Sequence, residues 1–354
     1  MAPRIRDGQP GELREELAFV EASDGQRLAL AEVTAGEPAP ARSDTAFLLL
    51  HGFAQNRRGF RLGPMPAELR ARGARVFLGE LRGHGDSRVE PGRSWDLRVH
   101  LELDCPALLE GVRQRAGVER VHLVGHSMGG LLGCALLDRG APLASLTAAA
   151  TPLLLGAARP LLRLASLAVG PVAAIAPRSR RVPMHHFLGA LAAPLSSAEA
   201  RAPLRVLQRA AGLANPGAAA PAALRAILAS ADPESPAVMQ ELARNALRMR
   251  PRIAGVDLVE ALFRSPLPVA AIVGSGDLFA PRAALAPLDR EGHAGPRRIL
   301  EIPGVGHLDA IMGHHVPATI AALWEFLVAA AAPPPRKRAR KPARSEAEPR
   351  GNEG

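Results

Sequence analysis

Residues 121–130 read VHLVGHSMGG and connect a short apolar run to a helical pattern. The first four residues are typical of a strand buried on both faces, and the residues after the stretch continue as a helix. The Gly-x-Ser-x-Gly motif therefore stands where a strand turns sharply into a helix. Gly125 and Gly129 allow this turn because they lack a Cβ atom, and the turn exposes Ser127 at its tip. Because a helix N-terminus favours nearby negative charge, Ser127 is the candidate nucleophile.

A serine hydroxyl is a weak nucleophile and requires a base that a third group orients. Asp277 follows the apolar run 269–273, and His307 follows the run 298–302. Both therefore stand at the carboxyl ends of predicted parallel strands, where α/β sheets gather their functional groups. His307 is the candidate base and Asp277 the candidate acid that orients it. Asp257, a short way upstream, is the nearest alternative acid.

A second element of the site follows the apolar run 45–50, where residues 51–55 read HGFAQ. The backbone N–H of Phe53, together with that of Met128, could hold a carbonyl oxygen as it gains negative charge. His51 precedes the glycine turn, so its position favours bracing of the loop over a role as the base. The supporting loop residues are predicted to be His51, Gly52, Gly125, His126 and Gly129.

Apolar strand-like runs alternate with helical patterns along most of the chain. Residues 17–22 and 28–33 are predicted to pair antiparallel through a Ser-Asp-Gly turn at 23–25. The other runs alternate with helices, which predicts an α/β fold with a doubly wound, mostly parallel sheet. The remaining predicted strands are 45–50, 75–78, 120–124, 145–150, 269–273 and 298–302, and the predicted helices are 65–72, 97–115, 128–138, 281–288 and 318–330.

The alternation stops for about 100 residues, which show helical periodicity and many prolines instead. We interpret this region as a helical cap, or lid, inserted late in the sheet. The predicted organisation is a first part of the core at 1–155, the cap at 156–256, a second part of the core at 257–332, and a disordered basic tail at 333–354.

Composition limits the classes of protein to which the chain can belong. Of its 354 residues, 47% are hydrophobic and 22% are charged, so the chain can bury a large core and is not disordered throughout. The net charge is +10, and the last 22 residues hold seven basic and three acidic residues. The basic cluster 336–344 has no interleaved aromatic residues, so we expect no specific nucleic-acid site. The tail could contact anionic surfaces weakly.

Targeting and redox signals are sparse. The first 14 residues lack an apolar stretch, so we expect no secretory signal peptide, and prolines interrupt the longest charge-free run, 140–158. These features predict a cytoplasmic protein. Cys105 and Cys134 are the only cysteines, and two do not imply a disulfide framework.

Metal and cofactor sites are not indicated. The paired histidines at 185–186 and 314–315 are adjacent, so their side chains diverge on a helix or a strand. His122 and His126 straddle a strand–turn junction and share no common face. No dinucleotide-type glycine motif opens a helix, and no Walker-type loop is present. We therefore expect no metal and no cofactor.

Taken together, these motifs resemble the serine hydrolases of the α/β-hydrolase fold, which include esterases and lipases. The resemblance covers about residues 17–330 apart from the predicted cap. It implies an eight-stranded, mostly parallel sheet, with Ser127 as nucleophile, Asp277 as acid, His307 as base, and the N–H groups of Phe53 and Met128 as oxyanion donors. The motifs that carry it are HGF at 51–53, LRGHGDS at 81–87, GHSMGG at 125–130, GSGD at 274–277 and GH at 306–307.

Two further details refine the resemblance. Glu80 stands where the family usually has an aspartate before the arginine-glycine loop, a departure that leaves the predicted triad untouched. His307-Leu308-Asp309, with the later Gly313, is similar to the acid-lipase and polyester-depolymerase branches, which points to lipids or other acyl esters as substrates.

The expected activity is hydrolysis of a carboxylic ester, lipid-like or with another apolar acyl group, through an acyl-enzyme intermediate. The alternatives are an amide or peptide hydrolase, an acyltransferase, a C–C hydrolase, a cofactor-free haloperoxidase, or a non-catalytic binding protein of the same fold. Haloalkane dehalogenases and the usual epoxide hydrolases are disfavoured because they place an aspartate at the position of Ser127. We expect the cap to be lined by Leu, Ala, Val and Phe187, which favours an apolar small-molecule or lipid ester as the binding partner. The sequence leaves the oligomeric state open.

Overall fold

The computed structural model describes residues 13–34, 44–154, 181–184, 214–215, 217–219, 221–248 and 250–329, together with residues 167, 177 and 212. Every strand predicted from the sequence overlaps a strand in this part of the chain. The strands are β1 Arg14–Glu21, β2 Arg27–Thr34, β3 Ala46–Leu50, β4 Arg75–Gly79, β5 Val121–His126, β6 Leu143–Ala149, β7 Arg252–Ile253, β8 Val256–Asp257, β9 Val269–Gly274 and β10 Arg297–Ile302.

Eight of these strands form one sheet in the order β1-β2-β4-β3-β5-β6-β9-β10. Strands β4, β3, β5, β6, β9 and β10 run parallel to one another, whereas β1 pairs antiparallel with β2, and β2 pairs antiparallel with β4. The predicted mostly parallel, eight-stranded sheet is thereby confirmed. Because the parallel strands point the same way, the loops after β3, β4, β5, β9 and β10 meet at one edge of the sheet.

Helices cover both faces of the sheet because its central strands are apolar on both faces. In β3, Leu48 and Leu50 belong to one hydrophobic cluster, and Phe47 and Leu49 belong to the other. This alternation follows from the period of two in a strand. The described helices are Arg58–Arg61, Met65–Ala71, Leu97–Val99, Cys105–Ala116, Met128–Asp138, Pro221–Ala229, Pro236–Ala246, Leu258–Arg264, Asp309–Met312 and Val316–Ala329, with a π-helical turn at His100–Asp104 and a 3-10 helix at Arg282–Asp289.

Two predicted helices differ from the structure. The helix predicted at 97–115 contains the π-helical turn His100–Asp104, in which the buried His100 imidazole bonds the Asp104 carboxylate at 2.8 Å. The helix predicted at 281–288 is a 3-10 helix that contains Pro287, which cannot donate a backbone hydrogen bond.

The predicted cap lies only partly within the described residues. There it contributes the helices Pro221–Ala229 and Pro236–Ala246 and a short strand pair, β7–β8, that the sequence patterns did not predict. Phe187, the histidine pair at 185–186 and the basic tail lie outside the described residues. No helix of the described ranges is long and apolar enough to cross a membrane.

Candidate active site

Ser127 occupies the sharp turn between β5 and the helix Met128–Asp138. Its backbone has φ 51° and ψ −113°, in the left-handed region that residues with a Cβ atom rarely adopt. A Cβ atom on Gly125 would lie 2.4 Å from the backbone of Gly129, and one on Gly129 would lie 2.4 Å from the Leu50 carbonyl oxygen. Both glycines are therefore required for the helix to approach the strands this closely, as the motif predicted.

The Ser127 backbone is fixed by the neighbouring strand. Its N–H donates to the Ala149 carbonyl at the end of β6 over 2.9 Å. Strain of this kind persists only where the surrounding structure holds it, and it gathers at functional sites. The turn thus presents a partly exposed serine at the carboxyl edge of the sheet.

His307 and Asp277 form a buried pair at the same edge. Asp277 lies three residues after β9, and His307 lies in the loop after β10. The His307 Nδ1–H donates to Asp277 Oδ2 over 2.9 Å, while Asp277 Oδ1 accepts the N–H groups of Phe279 and Ala280, each at 2.8 Å. The carboxylate is thus held on both oxygens, and it selects the imidazole tautomer whose Nε2 can accept a proton.

His126 links the loop of His307 to the serine turn. Its Nε2 lies 3.1 Å from the His307 carbonyl oxygen, and its Nδ1 lies 3.0 Å from Gln55 Oε1. Burial lowers the pKa of His126 to about 3, so the ring is neutral and carries one N–H. That N–H donates to the His307 carbonyl, and the arrangement that satisfies every group turns the Gln55 amide NH₂ toward Nδ1.

Ser127 and His307 are brought to one region without a direct hydrogen bond between them. The His126 and His307 rings are 5.0 Å apart, and the Phe279 ring lies 5.3 Å from that of His307. Among the described residues, Ser127 Oγ forms no hydrogen bond in this structure. The transfer of a proton from Ser127 to His307 therefore stays a prediction.

The two predicted oxyanion donors lie at the start of the helix after Ser127 and in the loop after β3. Met128 opens its helix, so its N–H has no acceptor within that helix. Phe53 lies in the loop after β3, two residues after His51. Neither the Met128 N–H nor the Phe53 N–H donates to another residue that the structure describes. A Cβ atom on Gly52 would lie 3.1 Å from the Ser127 Cβ, which shows how closely this loop approaches the serine. Within the described part of the chain, two donors without an acceptor therefore lie in the serine turn and in the loop that approaches it.

His51 connects this loop with the loop after β4. The Leu81 N–H donates to His51 Nε2 over 3.1 Å, so the ring proton is on Nδ1, which donates to the Gly52 carbonyl at 2.9 Å. Burial and the nearby His84 lower the pKa of His51 well below its usual value. A neutral imidazole in this bonding state has no free nitrogen with which to act as a base.

The ion pair with Arg57 explains why a glutamate, Glu80, can stand where the family usually has an aspartate. The Glu80 carboxylate is buried, pairs with the Arg57 guanidinium at 2.7 Å, and accepts the Asp86 N–H at 2.7 Å. Burial raises the pKa of this carboxyl even though Arg57 opposes the shift. The Glu80 side chain, which is longer than that of an aspartate, therefore stabilises the loop 80–87 from its buried side.

Several other groups do not join the site. Asp257 accepts the N–H groups of Val259 and Glu260 and so caps the helix Leu258–Arg264. Cys105 and Cys134 are free and buried, and burial raises the pKa of both thiols. Within the described ranges, His, Cys, Asp and Glu side chains form no group of three or more that could hold a metal ion.

Sequence reasoning assigned no role to Gln55 or Glu234. Gln55 lies in the quoted HGFAQ stretch, but its contact with His126 spans 71 residues of sequence. Glu234 lies in the predicted cap and reaches the loop after β3 across 180 residues. Spacing along the chain gave no signal for either contact.

Comparison with known proteins concerns the fold. A family model described as the alpha/beta hydrolase fold matches residues 45–312. A thermophilic esterase from Thermogutta terrifontis is 19% identical, with a TM-score of 0.58, and the match covers 90% of this chain and 100% of that one. A hydrolase from Pseudomonas aeruginosa PA01 is 23% identical, with a TM-score of 0.59 and coverages of 88% and 98%. A bromoperoxidase from Bacillus anthracis is 17% identical, with a TM-score of 0.57 and coverages of 88% and 99%. At these identities the likeness shows a common fold. The curated protein sequences contain no significant match.

Proposed function

Because the chain belongs to the α/β-hydrolase fold family, we propose that it is a serine hydrolase that cleaves carboxylic esters with an apolar acyl or alcohol part. The observation that carries this proposal is the meeting of three groups at one edge of the sheet. These are the strained serine turn at Ser127, the His307–Asp277 pair, and the N–H groups of Phe53 and Met128, which have no acceptor among the residues that the structure describes. A protein that only bound a ligand would need none of these features together.

The chemistry follows from the tautomer that Asp277 selects. As Ser127 Oγ attacks the ester carbonyl, His307 Nε2 takes the hydroxyl proton and passes it to the leaving alcohol. The N–H groups of Phe53 and Met128 stabilise the oxyanion, whose charge develops beside a helix N-terminus. A water molecule then attacks the acyl-enzyme and gives a proton to His307. His307 returns this proton to Ser127 Oγ as the bond between Oγ and the acyl carbon breaks, which releases the carboxylic acid.

The preference for an apolar substrate rests on the side chains beside the pair. Phe279 lies next to His307, and the partly buried Phe53 packs against the hydrophobic cluster that contains Met128. Apolar rings that border a few polar groups are typical of sites that bind small apolar ligands. Amide hydrolysis, acyl transfer and haloperoxidase chemistry are other reactions of the same triad and are outcomes that a substrate panel distinguishes.

The test combines covalent labelling with ester kinetics. A fluorophosphonate should label the wild-type protein, and Ser127→Ala should lose both the label and, by about a thousandfold or more, turnover of p-nitrophenyl esters. Ser94→Ala is the matched control because Ser94 is exposed and should keep both. An unlabelled wild-type protein, or wild-type turnover in Ser127→Ala, would contradict the proposal. An ester panel graded by acyl length then identifies the preferred substrate.

A further inference from the structure

One fully buried carboxylate, Glu234, accepts four hydrogen bonds. Its Oε2 accepts the Ala54 N–H and lies against His84 Nε2, each at 3.2 Å. Its Oε1 accepts the Ser235 N–H at 2.8 Å and the Trp95 Nε1–H at 3.4 Å. These donors come from the loops after β3 and β4 and from the segment between the helices Pro221–Ala229 and Pro236–Ala246. Glu234 therefore joins three separate parts of the chain.

The contact with Ala54 places this carboxylate next to the candidate oxyanion loop. Ala54 directly follows Phe53, is fully buried, and has φ 52°, a conformation that costs about 1 kcal/mol or more for a residue with a Cβ atom. It is held from both sides, because its carbonyl accepts the Asp232 N–H over 2.9 Å while its own N–H donates to Glu234. The segment 232–234 thus fixes the peptide groups that follow the Phe53 donor.

Asp232 strengthens the same connection with its side chain. Its Oδ2 accepts the Asn56 Nδ2–H at 2.8 Å and the Gly85 N–H at 2.9 Å. The Glu234 backbone also pairs with that of Val182 in both directions, at 2.8 and 2.9 Å. The anchor of Glu234 is therefore independent of its carboxylate, so a change of the side chain need not release the segment.

His84 keeps the Glu234 carboxylate charged. Burial by itself would lower the pKa of His84, but the Glu234 charge outweighs it and raises this pKa to about 9. The pKa of Glu234 is lowered although burial opposes the shift, because His84 attracts the charged form. His84 Nδ1 donates to the Arg82 carbonyl at 3.0 Å, so both nitrogens of the imidazolium have acceptors. The pair is thus ionised at neutral pH.

We infer that Glu234 is a positioning residue for catalysis, which holds the candidate oxyanion loop in place by accepting a hydrogen bond from the strained Ala54 N–H. This inference rests on the function proposed above and extends it. It makes the inserted region part of the catalytic apparatus, because Glu234 reaches the loop from between two helices of that region. A displaced Phe53 N–H should weaken stabilisation of the transition state while leaving substrate binding largely intact.

The test is the variant Glu234→Gln, which keeps the shape of the side chain and removes its charge. We expect kcat for an aryl ester to fall by about tenfold, with little change in KM. This fall is smaller than the loss of kcat expected when an oxyanion donor is removed outright. A thionoester with C=S in place of C=O makes a poorer acceptor for the same N–H groups. The ratio of ester to thionoester turnover should therefore fall in Glu234→Gln, which a general loss of stability would not cause.

Glu32→Gln is the matched control. Glu32 is also buried and ion-paired, with Arg75 at 2.7 Å, but it lies on β2 away from the loop. The Glu32→Gln variant should be less stable than the wild type but keep the wild-type ratio of ester to thionoester turnover. If Glu234→Gln does not fold, Glu234→Asp, which keeps the charge that His84 requires, is expected to show the same fall.

The outcomes separate this inference from the proposed function. Wild-type kcat and wild-type ratio in a folded Glu234 variant would overturn the positioning role while the hydrolase stands. A wild-type protein without esterase activity, or a fully active Ser127→Ala, would overturn both. A lower ratio confined to the Glu234 variants supports the positioning role.

Discussion

At the scale of single residues, the assignment of the acid rests on the different hydrogen-bond donors that the two carboxylate oxygens of Asp277 accept from. Oδ1 accepts two backbone N–H groups and Oδ2 accepts from His307. In Asp277→Asn the amide oxygen should stay with the N–H donors, so its NH₂ faces His307 Nδ1 and forces the proton onto Nε2. We expect turnover of p-nitrophenyl esters to fall by up to about four orders of magnitude, because this tautomer cannot accept the serine proton.

The control for this prediction is Asp257→Asn. Asp257 caps a helix and pairs with Arg250 at 3.3 Å. An asparagine there retains a capping oxygen, so turnover should stay close to that of the wild type. If Asp257→Asn lost most of its ester turnover while Asp277→Asn kept nearly all of it, the assignment of the acid would be reversed.

A second prediction at this scale concerns His84 and pH. Its pKa in the folded protein, about 9, lies above the ordinary value of 6.5, so the bound proton stabilises the fold fully below about pH 6.5. That contribution is lost as the pH rises through 9. The free energy of unfolding of the wild type, relative to that of His84→Gln, should therefore decrease between pH 6.5 and 10, by on the order of 3 kcal/mol at most.

Urea unfolding at several pH values measures this difference. The charged and titratable groups around His84 are His51, His100, Asp232 and Glu234, and all four are present in both proteins. Subtraction therefore isolates the His84–Glu234 pair to a first approximation. A difference that stays constant, or grows, as the pH rises would show that His84 is neutral in the folded protein.

At the scale of secondary-structure elements, the serine turn depends on close contact between a helix and two strands. A Cβ atom on Gly129 would lie 2.4 Å from the Leu50 carbonyl oxygen and 2.7 Å from that of His51. These are backbone atoms that cannot rotate away, so Gly129→Ala should move the helix and lower stability by about 1–3 kcal/mol. Because His51 opens the candidate oxyanion loop, esterase turnover should fall as well.

Gly217→Ala serves as the control in the same thermal-unfolding and kinetic assays. Gly217 is exposed, and a Cβ atom there would meet only Asn215 Oδ1, at 3.9 Å. The change should alter stability by less than about 0.5 kcal/mol. Equal stability losses in the two variants would argue against the tight contact at Gly129.

At the scale of the whole molecule, the C-terminal segment is predicted to be separate from catalysis. The last 22 residues hold seven basic and three acidic residues and follow the last predicted helix. Truncation at Ala332 should leave turnover of a soluble short-chain ester unchanged. If the segment contacts anionic lipid, the contact should weaken with salt, because exposed charges are screened beyond about 10 Å at 0.1 M ionic strength.

Two measurements check this prediction: kinetics of the truncated protein, and its co-sedimentation with anionic vesicles at low and high salt. Unchanged melting behaviour combined with lost turnover would place the segment in the catalytic apparatus.

The sequence by itself determined the order and type of the core elements and the candidate triad. Apolar runs and helical periodicity are local properties, so they predicted the strands of the eight-stranded sheet, whose mostly parallel arrangement is confirmed. Parallel strands bring their carboxyl ends to one edge, so the position of a residue just after a strand indicates where it lies in space. This position predicts Asp277 and His307, whereas Ser127 is predicted by the Gly-x-Ser-x-Gly motif between a strand and a helix.

The tertiary structure alone decided the contacts that run sideways between loops. Ala54 and Glu234 are 180 residues apart, and His84 and Glu234 are 150 apart, so neither contact follows from local spacing. Glu234 reads in the sequence as an ordinary acidic residue between two helices. Only packing of the inserted region against the sheet edge buries its carboxylate among four donors, and burial in a medium of low dielectric strengthens each of these hydrogen bonds.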